Sequence, residues 1–329
     1  MFTSRRAACK ALLAVAAAAC AAPAVADDAA GYPNRPVKVI VTYAPGGAND
    51  ITARLYAQAL SEALGQPFVV ENRAGASGIP GTDAAGHARP DGYTLLLGAG
   101  GTMTINPGLF KRLPYDPLKT FAPVGLLARS PLVLVVPPSL PVKTMQEFLA
   151  YARKQPQGVT FASPGAGTPL HLAGELFSRS AGIEALHVPY KGSTPALNDL
   201  MAGRVDMMFD VLGSSMQFVQ AGNLRALAVS SPTRSPQLPD VPTVDEEGVK
   251  GFDVTSWFGY FAPAGTPQAI IDKLNAAINK AAASPAMRDH LAPMGMVPAG
   301  GTPQELRTIV ETEKAKWADV MAKAGIEPQ

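Results

Sequence analysis

The sequence predicts an α/β protein of two lobes, each a mainly parallel sheet flanked by helices, with a ligand cleft between them. Three observations carry that prediction. Short β-branched runs alternate with helical patterns, several of those runs are apolar on both faces, and the strands and helices fall into two blocks followed by a shorter segment. Strands buried on both faces belong to parallel sheets.

The strand-like runs lie at 37–41, 68–70, 93–97, 132–136, 159–161 and 224–229. Between the first two, Ile51, Leu55, Ala59 and Ala63 recur every four residues and Gly65 follows, so an amphipathic helix is predicted from Asn49 or Asp50 to Leu64, with one of those two polar residues as its N-cap. This is a βαβ unit. Helix starts are marked by Thr168-Pro169, Thr194-Pro195, Thr266-Pro267 and Thr302-Pro303, where the hydroxyl can cap free N–H groups and proline has none to satisfy. Glu305 completes a capping box with Thr302, and Glu147 does so with Thr144. In the last helix Leu306, Ile309, Val310, Trp317 and Val320 form the buried stripe.

The blocks run from about 32 to 127 and from about 128 to 251. The remainder shows two helices and little strand pattern, too little to fold alone, so it should return to the first block. Residues 27–127 and 252–329 then make one lobe and 128–251 the other, with two crossings and a cleft where small molecules bind.

With 329 residues, 47% of them hydrophobic, the chain is long enough for about two domains, each with its own core. Its 28 Lys+Arg against 26 Asp+Glu leave a formal charge of +2, which offers neither nucleic acid nor an anionic membrane a polybasic surface. Arg5, Arg6 and Lys10 precede an apolar run at 11–22 and then Ala24-Val25-Ala26, the pattern of a cleavable secretory signal peptide over residues 1–26. About a dozen apolar residues fall short of the roughly 20 that span a bilayer. Cleavage leaves Asp27 first, removes three cations for a formal charge of −1, and removes Cys9 and Cys20, the only cysteines. A lipoprotein cysteine at Cys20 would want a Leu ahead of it, where Ala17-Ala18-Ala19 stands. Disulfides and thiol catalysis drop out.

Two loops are candidate ligand seats. Ala44-Pro45-Gly46-Gly47-Ala48-Asn49-Asp50 links the first strand to the first helix; paired glycines admit close backbone approach, and a helix start presents unpaired N–H groups with partial positive charge. The same residues read equally as a plain tight turn. No Gly-Lys-Ser/Thr and no Gly-x-Gly-x-x-Gly occurs in this loop, so nucleotide phosphates are poor candidates. Ser163-Pro164-Gly165-Ala166-Gly167-Thr168-Pro169-Leu170-His171 is its counterpart in the second block, again after a strand and before a helix. Facing each other, the two suit a ligand with a carboxylate at each end, offset by helix dipoles without a buried lysine. His171 is either a polar contact or a first-turn residue packed on the loop. Tyr190, ending the strand His187-Val188-Pro189, offers a ring and a hydroxyl, and Asp210 closes the strand Val205-Asp206-Met207-Met208-Phe209; for both, a structural role is an equal alternative. Met207, Met208 and Phe209 read as core, as does Trp317.

Enzyme constellations are absent. There is no His-Glu-x-x-His, no Cys/His metal spacing and no Gly-x-Ser-x-Gly, and His87, His171, His187 and His290 are scattered, so the sequence asks for no metal and no cofactor. A Ser163, His171, Asp210 triad can be drawn, but without an elbow motif.

These residues and their order resemble the periplasmic solute receptors of tripartite tricarboxylate transporters, the Bug family. The similarity runs from Tyr32-Pro33-Asn34-Arg35-Pro36 to the C-terminal helix. It includes Pro45-Gly46-Gly47 with Asp50 and Arg54, Gly65-Gln66-Pro67-Phe68-Val69-Val70-Glu71-Asn72-Arg73 and Pro90-Asp91-Gly92-Tyr93-Thr94-Leu95-Leu96. It continues through His187-Val188-Pro189-Tyr190-Lys191-Gly192, Leu238-Pro239-Asp240-Val241-Pro242-Thr243, and Trp257 to Ala262-Pro263-Ala264-Gly265-Thr266-Pro267.

The resemblance implies a type II periplasmic-binding-protein fold, a monomer that closes on a small carboxylate and presents it to the subunits of a membrane permease. The ligand classes implied are di- and tricarboxylates and acidic amino acids. It implies ligand contacts from Pro45, Gly46, Gly47, Ala48, Asn49 and Asp50 and from Ser163, Gly165, Ala166, Gly167 and Thr168, through backbone donors and bridging waters; Thr102, His171, Tyr190 and Asp210 are further candidate contacts, read from the residues themselves. One departure stands out: in Gly101-Thr102-Met103-Thr104-Ile105-Asn106-Pro107, Met103 replaces a His common in the family, which predicts a less polar wall and room for an aromatic or longer aliphatic acid. The same fold also serves sensors that signal to a membrane kinase, and a secreted hydrolase would need a nucleophile that does not stand out here.

Overall fold

The computed structural model describes residues 31–166, 168–190 and 192–328; the predicted leader with its cleavage site at Asp27, and Gly167 and Lys191, lie outside them. The chain opens with β1 (Val37–Val41), α1 (Ala48–Leu64), β2 (Phe68–Asn72), α2 (Ile79–Gly86) and β3 (Thr94–Ala99). The three strands lie parallel in the order β2-β1-β3. Val37, Val39, Val41, Leu95 and Leu97 are buried on one face and Ile40 and Leu96 on the other, which is why these runs read as apolar on both faces.

A π-helical turn, Gly101–Ile105, and the short α3 (Asn106–Leu109) lead into β4 (Phe121–Val136), a strand of 16 residues. After it come α4 (Met145–Ala152), β5 (Val159–Ser163), α5 (Pro169–Ala181), β6 (Ala185–Pro189), α6 (Ser193–Met201), β7 (Met207–Val211), α7 (Leu212–Gln220) and β8 (Arg225–Val229). Here β6, β5 and β7 form the second parallel trio. The chain ends with β9 (Thr255–Pro263), α8 (Gln268–Ala282), α9 (Pro285–Leu291), β10 (Val297–Pro298) and α10 (Pro303–Lys323).

Antiparallel strands join the two trios. Residues 121–131 of β4 pair with β9, which also pairs with β3, while residues 132–136 pair with β7 and β8. The strand path is β2-β1-β3-β9-β4-β7-β5-β6. The first crossing is therefore a continuous strand rather than a linker. The run at 132–136 is only its last part: Pro123, Gly125 and Pro131 interrupt the apolar pattern, and the register against β9 shifts near 123–125 and 126–128. The pattern over 252–329 predicts two helices and little strand; it forms three helices and the nine-residue β9. Gly259 and a terminal proline hide that strand, although Trp257, Phe258, Tyr260 and Phe261 give it aromatic bulk.

Hydrogen bonds tie α1 to both crossing strands. The Tyr56 hydroxyl donates to the Leu127 carbonyl at 2.5 Å, and the Tyr260 hydroxyl to the Ala53 carbonyl at 2.8 Å. Burying each aromatic body adds about 1.5–3 kcal/mol, so the helix start is held firmly against the crossing. Meanwhile α10 spans two cores. Leu306 and Val310 pack with Trp257 and Phe261, whereas Trp317, Val320 and Met321 pack with Phe177 and Phe209 of the second half.

Helix starts divide by local geometry. Thr168 accepts from the His171 N–H at 3.3 Å, and Thr302 with Glu305 forms the full capping box. Thr144 accepts from the Glu147 N–H, but the Glu147 carboxylate takes the Lys143 N–H instead of returning to Thr144. Thr194 lies inside α6, whose N-cap is Gly192, and the Thr266 hydroxyl donates to the Pro263 carbonyl and closes a turn. The N-cap of α1 is Gly47, not Asn49 or Asp50. No described helix is long and apolar enough to cross a membrane.

Candidate functional site

A cavity of about 210 Å³ lies where the two halves meet. Its walls come from the carboxyl ends of parallel strands: Tyr43, Ala48 and Asn49 follow β1, Ala99, Gly100 and Gly101 end and follow β3, Val211 ends β7, and Pro169 opens α5 after β5. Ligands of open α/β sheets bind at such ends. The back wall is the crossing itself, with Ser130 of β4 and Thr255 to Phe258 of β9. The roof is α10, through Glu313 and Trp317.

Among the described residues, no lysine, arginine or histidine lines this cavity. Positive potential comes instead from the start of α1, where a 17-residue helix leaves its first N–H groups without intrahelical partners. Two polar atoms at the wall have no hydrogen-bond partner among the described residues: Asn49 Oδ1 and Ser130 Oγ, the latter on a residue 1% exposed. Glu313 Oε2 accepts from Trp257 Nε1–H at 2.7 Å. Burial pushes the Tyr43 hydroxyl up to about 12, so it stays a neutral donor.

The residues singled out in the sequence divide by position. Ala48 and Asn49 line the cavity, and Pro45, Gly46 and Gly47 are exposed on the loop leading to it. Asp50 turns inward: its carboxylate accepts from the Gly46 N–H at 2.9 Å, Arg54 Nε at 3.0 Å and Asn72 Nδ2 at 2.9 Å. Burial raises its pKa, but Arg54, the Gly46 N–H and Asn72 outweigh that and hold it below the ordinary carboxylate range. Asp50 thus shapes the loop. Gly46, at φ 84°, supplies the left-handed turn that this hydrogen bond requires.

In the second loop Ser163 is fully buried, with its hydroxyl 2.6 Å from His187 Nε2 and its side-chain oxygen accepting from the Gly165 N–H at 3.2 Å. Gly165 in turn accepts from the Thr168 hydroxyl at 2.7 Å, and Ala166 is exposed at the tip; Gly167 lies outside the described residues. His171 is buried, stacked on His187 at 3.8 Å between ring centroids, with Nε2 3.6 Å from Glu175. Tyr190 donates its hydroxyl to Asp199 at 2.9 Å. Asp210 is fully buried and accepts from the Ser214 and Ser215 hydroxyls at 2.5 and 2.7 Å; burial raises its pKa more than those donors lower it. The Ser163, His171, Asp210 triad is not assembled, because Ser163 meets His187 and Asp210 meets serine hydroxyls and the Val211 backbone N–H. Thr102 is buried with its hydroxyl on the Ala99 carbonyl at 3.2 Å.

Met103 forms no wall. It is fully buried beside Trp257 and Phe261 in the core below the cavity, so the polarity of the site is set elsewhere. The side chains that set it, Ser130, Trp257, Glu313 and Trp317, escape sequence reading as a site. The signals were an i, i+4 pair on α10 and an aromatic run in β9.

Comparison with known proteins agrees with this architecture. A family model described as the tripartite tricarboxylate transporter family receptor matches residues 52–326. The protein BugT of Bordetella pertussis is 39% identical over 312 residues, 94% of this chain and 95% of its own. A solved R. palustris protein with adipate superposes with a TM-score of 0.76 at 39% identity, covering 91% of this chain and 100% of that one. MatC from Rhodopseudomonas palustris with bound malate superposes at 0.71 with 36% identity, covering 88% and 99%.

Proposed function

The chain belongs to the receptor family of tripartite tricarboxylate transporters, periplasmic solute-binding proteins with a two-lobed fold, and from that premise we propose that it captures a small carboxylate in the cavity between its halves and delivers it to the membrane subunits of such a transporter. The observation that carries this reading is the cavity lined from both halves with the start of α1 in its wall and no cationic side chain among its described lining residues. Charge offset by backbone N–H groups and a helix dipole binds an anion reversibly. A receptor must release its cargo, so a site without a fixed lysine or arginine fits the task.

On this reading, Pro45 to Asn49 and the tip of the second loop hold the carboxylate, with Asp50 and Ser163 positioning the two loops. Thr102, His171, Tyr190 and Asp210 support them from behind. Binding contacts from both halves at once favour the closed arrangement, by as much as the ligand binds that state better. The lobes divide near 127/128 and 251/252, and the leader directs export to the periplasm with Asp27 as the mature start. The reading assigns binding and not catalysis.

The test is mass spectrometry of small molecules released from freshly purified protein, followed by thermal-shift screening of carboxylates. A ligand at a hundred times its Kd adds about 2.7 kcal/mol, worth about 4 °C for a chain of this length. No released carboxylate and no shift with any aliphatic or aromatic acid would remove the reading. The intact mass of the exported protein should correspond to residues 27–329.

A further inference from the structure

Resting on the carboxylate reading above, we propose that the ligand is a single-ring aromatic monocarboxylate bearing a hydrogen-bond donor on the ring, and that dicarboxylates are disfavoured. The walls of the cavity are of two kinds. The start of α1, with Ala48 and Asn49, offers N–H groups to one carboxylate. The remainder is dominated by Trp257, Phe258, Trp317 and Ile105, which offer apolar faces and no cation. Indole and phenyl faces hold a ring well and a second carboxylate badly.

Charge sharpens the contrast. Glu313 is the one ionisable carboxylate lining the cavity among the described residues. Its nearest cation is Lys316, with Nζ 3.6 Å from Oε1, but that ammonium donates to the Asp253 carbonyl at 2.9 Å, lies 4.6 Å from the Trp317 ring centroid and does not line the cavity. A second ligand carboxylate would meet Glu313 as a like charge in a partly dry site. A hydroxyl or amino group would instead donate to it.

Ser130 adds an independent observation. Its hydroxyl is buried on a residue of the cavity wall and has no partner among the described residues. An unpaired buried hydroxyl is costly and calls for a polar group on whatever fills the space. Size sets the ring count: benzene fills an engineered cavity of about 150 Å³ in another protein, so about 210 Å³ holds one ring with its carboxylate and a small substituent.

The test is calorimetric titration of the mature protein with 4-hydroxybenzoate, 4-aminobenzoate, benzoate, adipate and malate. Donor-bearing ring acids should bind at least ten-fold tighter than benzoate, adipate or malate. Ser130→Ala should narrow the margin between 4-hydroxybenzoate and benzoate to under three-fold, and Glu313→Gln should improve adipate binding about ten-fold. Adipate or malate binding the unaltered protein more tightly than the ring acids would overturn this inference and leave the carboxylate reading standing. Benzoate binding as tightly as its hydroxyl and amino derivatives would remove the donor from the proposal, and with it the role of Ser130. Heat from none of the five would overturn this inference, and the released-ligand analysis with the wider thermal-shift screen then decides the carboxylate reading.

Discussion

Gly100→Ala isolates the cavity from the stability of the fold. Gly100 sits at φ −49°, ψ −41°, an ordinary right-handed helical conformation that alanine adopts without strain. A Cβ built there meets Trp257 Nε1 at 3.7 Å, Glu313 Oε2 at 3.8 Å and Thr104 Oγ1 at 3.8 Å, all normal van der Waals distances. Nothing in the protein must move. Replacing glycine at a compatible position stabilises by about 0.4–1 kcal/mol through the unfolded state, so the ligand-free melting temperature should rise by about 1 °C. The neighbouring Gly101 is a poorer choice, because its Cβ would sit 3.1 Å from the Tyr43 hydroxyl.

For the ligand the same methyl is an obstruction. A methyl group is comparable to a water molecule, whose share of liquid volume is about 30 Å³, and it would take about one seventh of the 210 Å³ available. Overpacking a fitted site costs about 1–3 kcal/mol, so affinity should fall by about five- to 150-fold. Calorimetry on the variant and its parent, with the tightest acid from the screen, measures that loss, and differential scanning fluorimetry measures the small gain in stability. Affinity unchanged within two-fold, in a variant at least as stable as its parent, would show that the ligand never reaches Gly100 and would remove this cavity as the site.

Three further perturbations separate loop shaping from ligand contact. Asp50→Asn loses the charge that holds Arg54 and the Gly46 N–H; charge-assisted hydrogen bonds contribute about 1.5–3 kcal/mol, so melting at neutral pH should fall by roughly 2–5 °C. Because the folded Asp50 carboxyl lies below its unfolded value of 3.8, its contribution is fully present above that pH and is lost below it, a decline that the variant should lack. Burial and the neighbouring His171 lower His187 from 6.5 to about 4, against the pull of Glu175, so protonation favours the unfolded chain. Stability from this source is complete above pH 6.5 and falls as the pH drops toward 4; melting curves over that window should be flatter for His187→Asn, and parallel curves would refute the assignment. Thr302→Ala breaks the capping box of α10 and should cost about 1 kcal/mol in stability, while leaving the Kd for the screened acid unchanged by calorimetry.

How much of this was legible from sequence follows from what each feature depends on. The parallel strands, α1 and the Thr168 and Thr302 caps depend on residues close in the chain, and they appear where periodicity and turn chemistry place them. The N-cap of α1 does not, because Asp50 is drawn inward by Arg54 and by Asn72, which lies 22 residues away at the end of β2. The paired-glycine loop was visible as an anion seat for the local reason that glycines precede a helix. The back wall was invisible for the opposite reason. Ser130 and Ser256 are opposite one another, as are Arg129 and Trp257, only through the register of β4 on β9, and no local pattern announces a pairing across more than a hundred residues. Met103 misled in the same way: its neighbours in sequence surround the site, but its side chain points into the core.

The placement of α10 links ligand chemistry to motion between the halves. Its first turns are packed in the core that holds Trp257 and its last turns in the core that holds Phe209, so a change in the angle between the halves has to be accommodated along this helix as well as in β4 and β9. Hinge motions concentrate where few residues absorb the change, and the register shifts of β4 near 123–128 supply such positions on one side. Glu313 sits between the two packed ends of α10 and Trp317 begins the second, and both stand at the cavity wall. On the proposed reading, a ring stacked there adds apolar contact to both cores at once, beside the carboxylate held by the α1 start and the tip of the second loop. On that reading, differential affinity for the closed arrangement comes from the body of the ligand as well as from its charge.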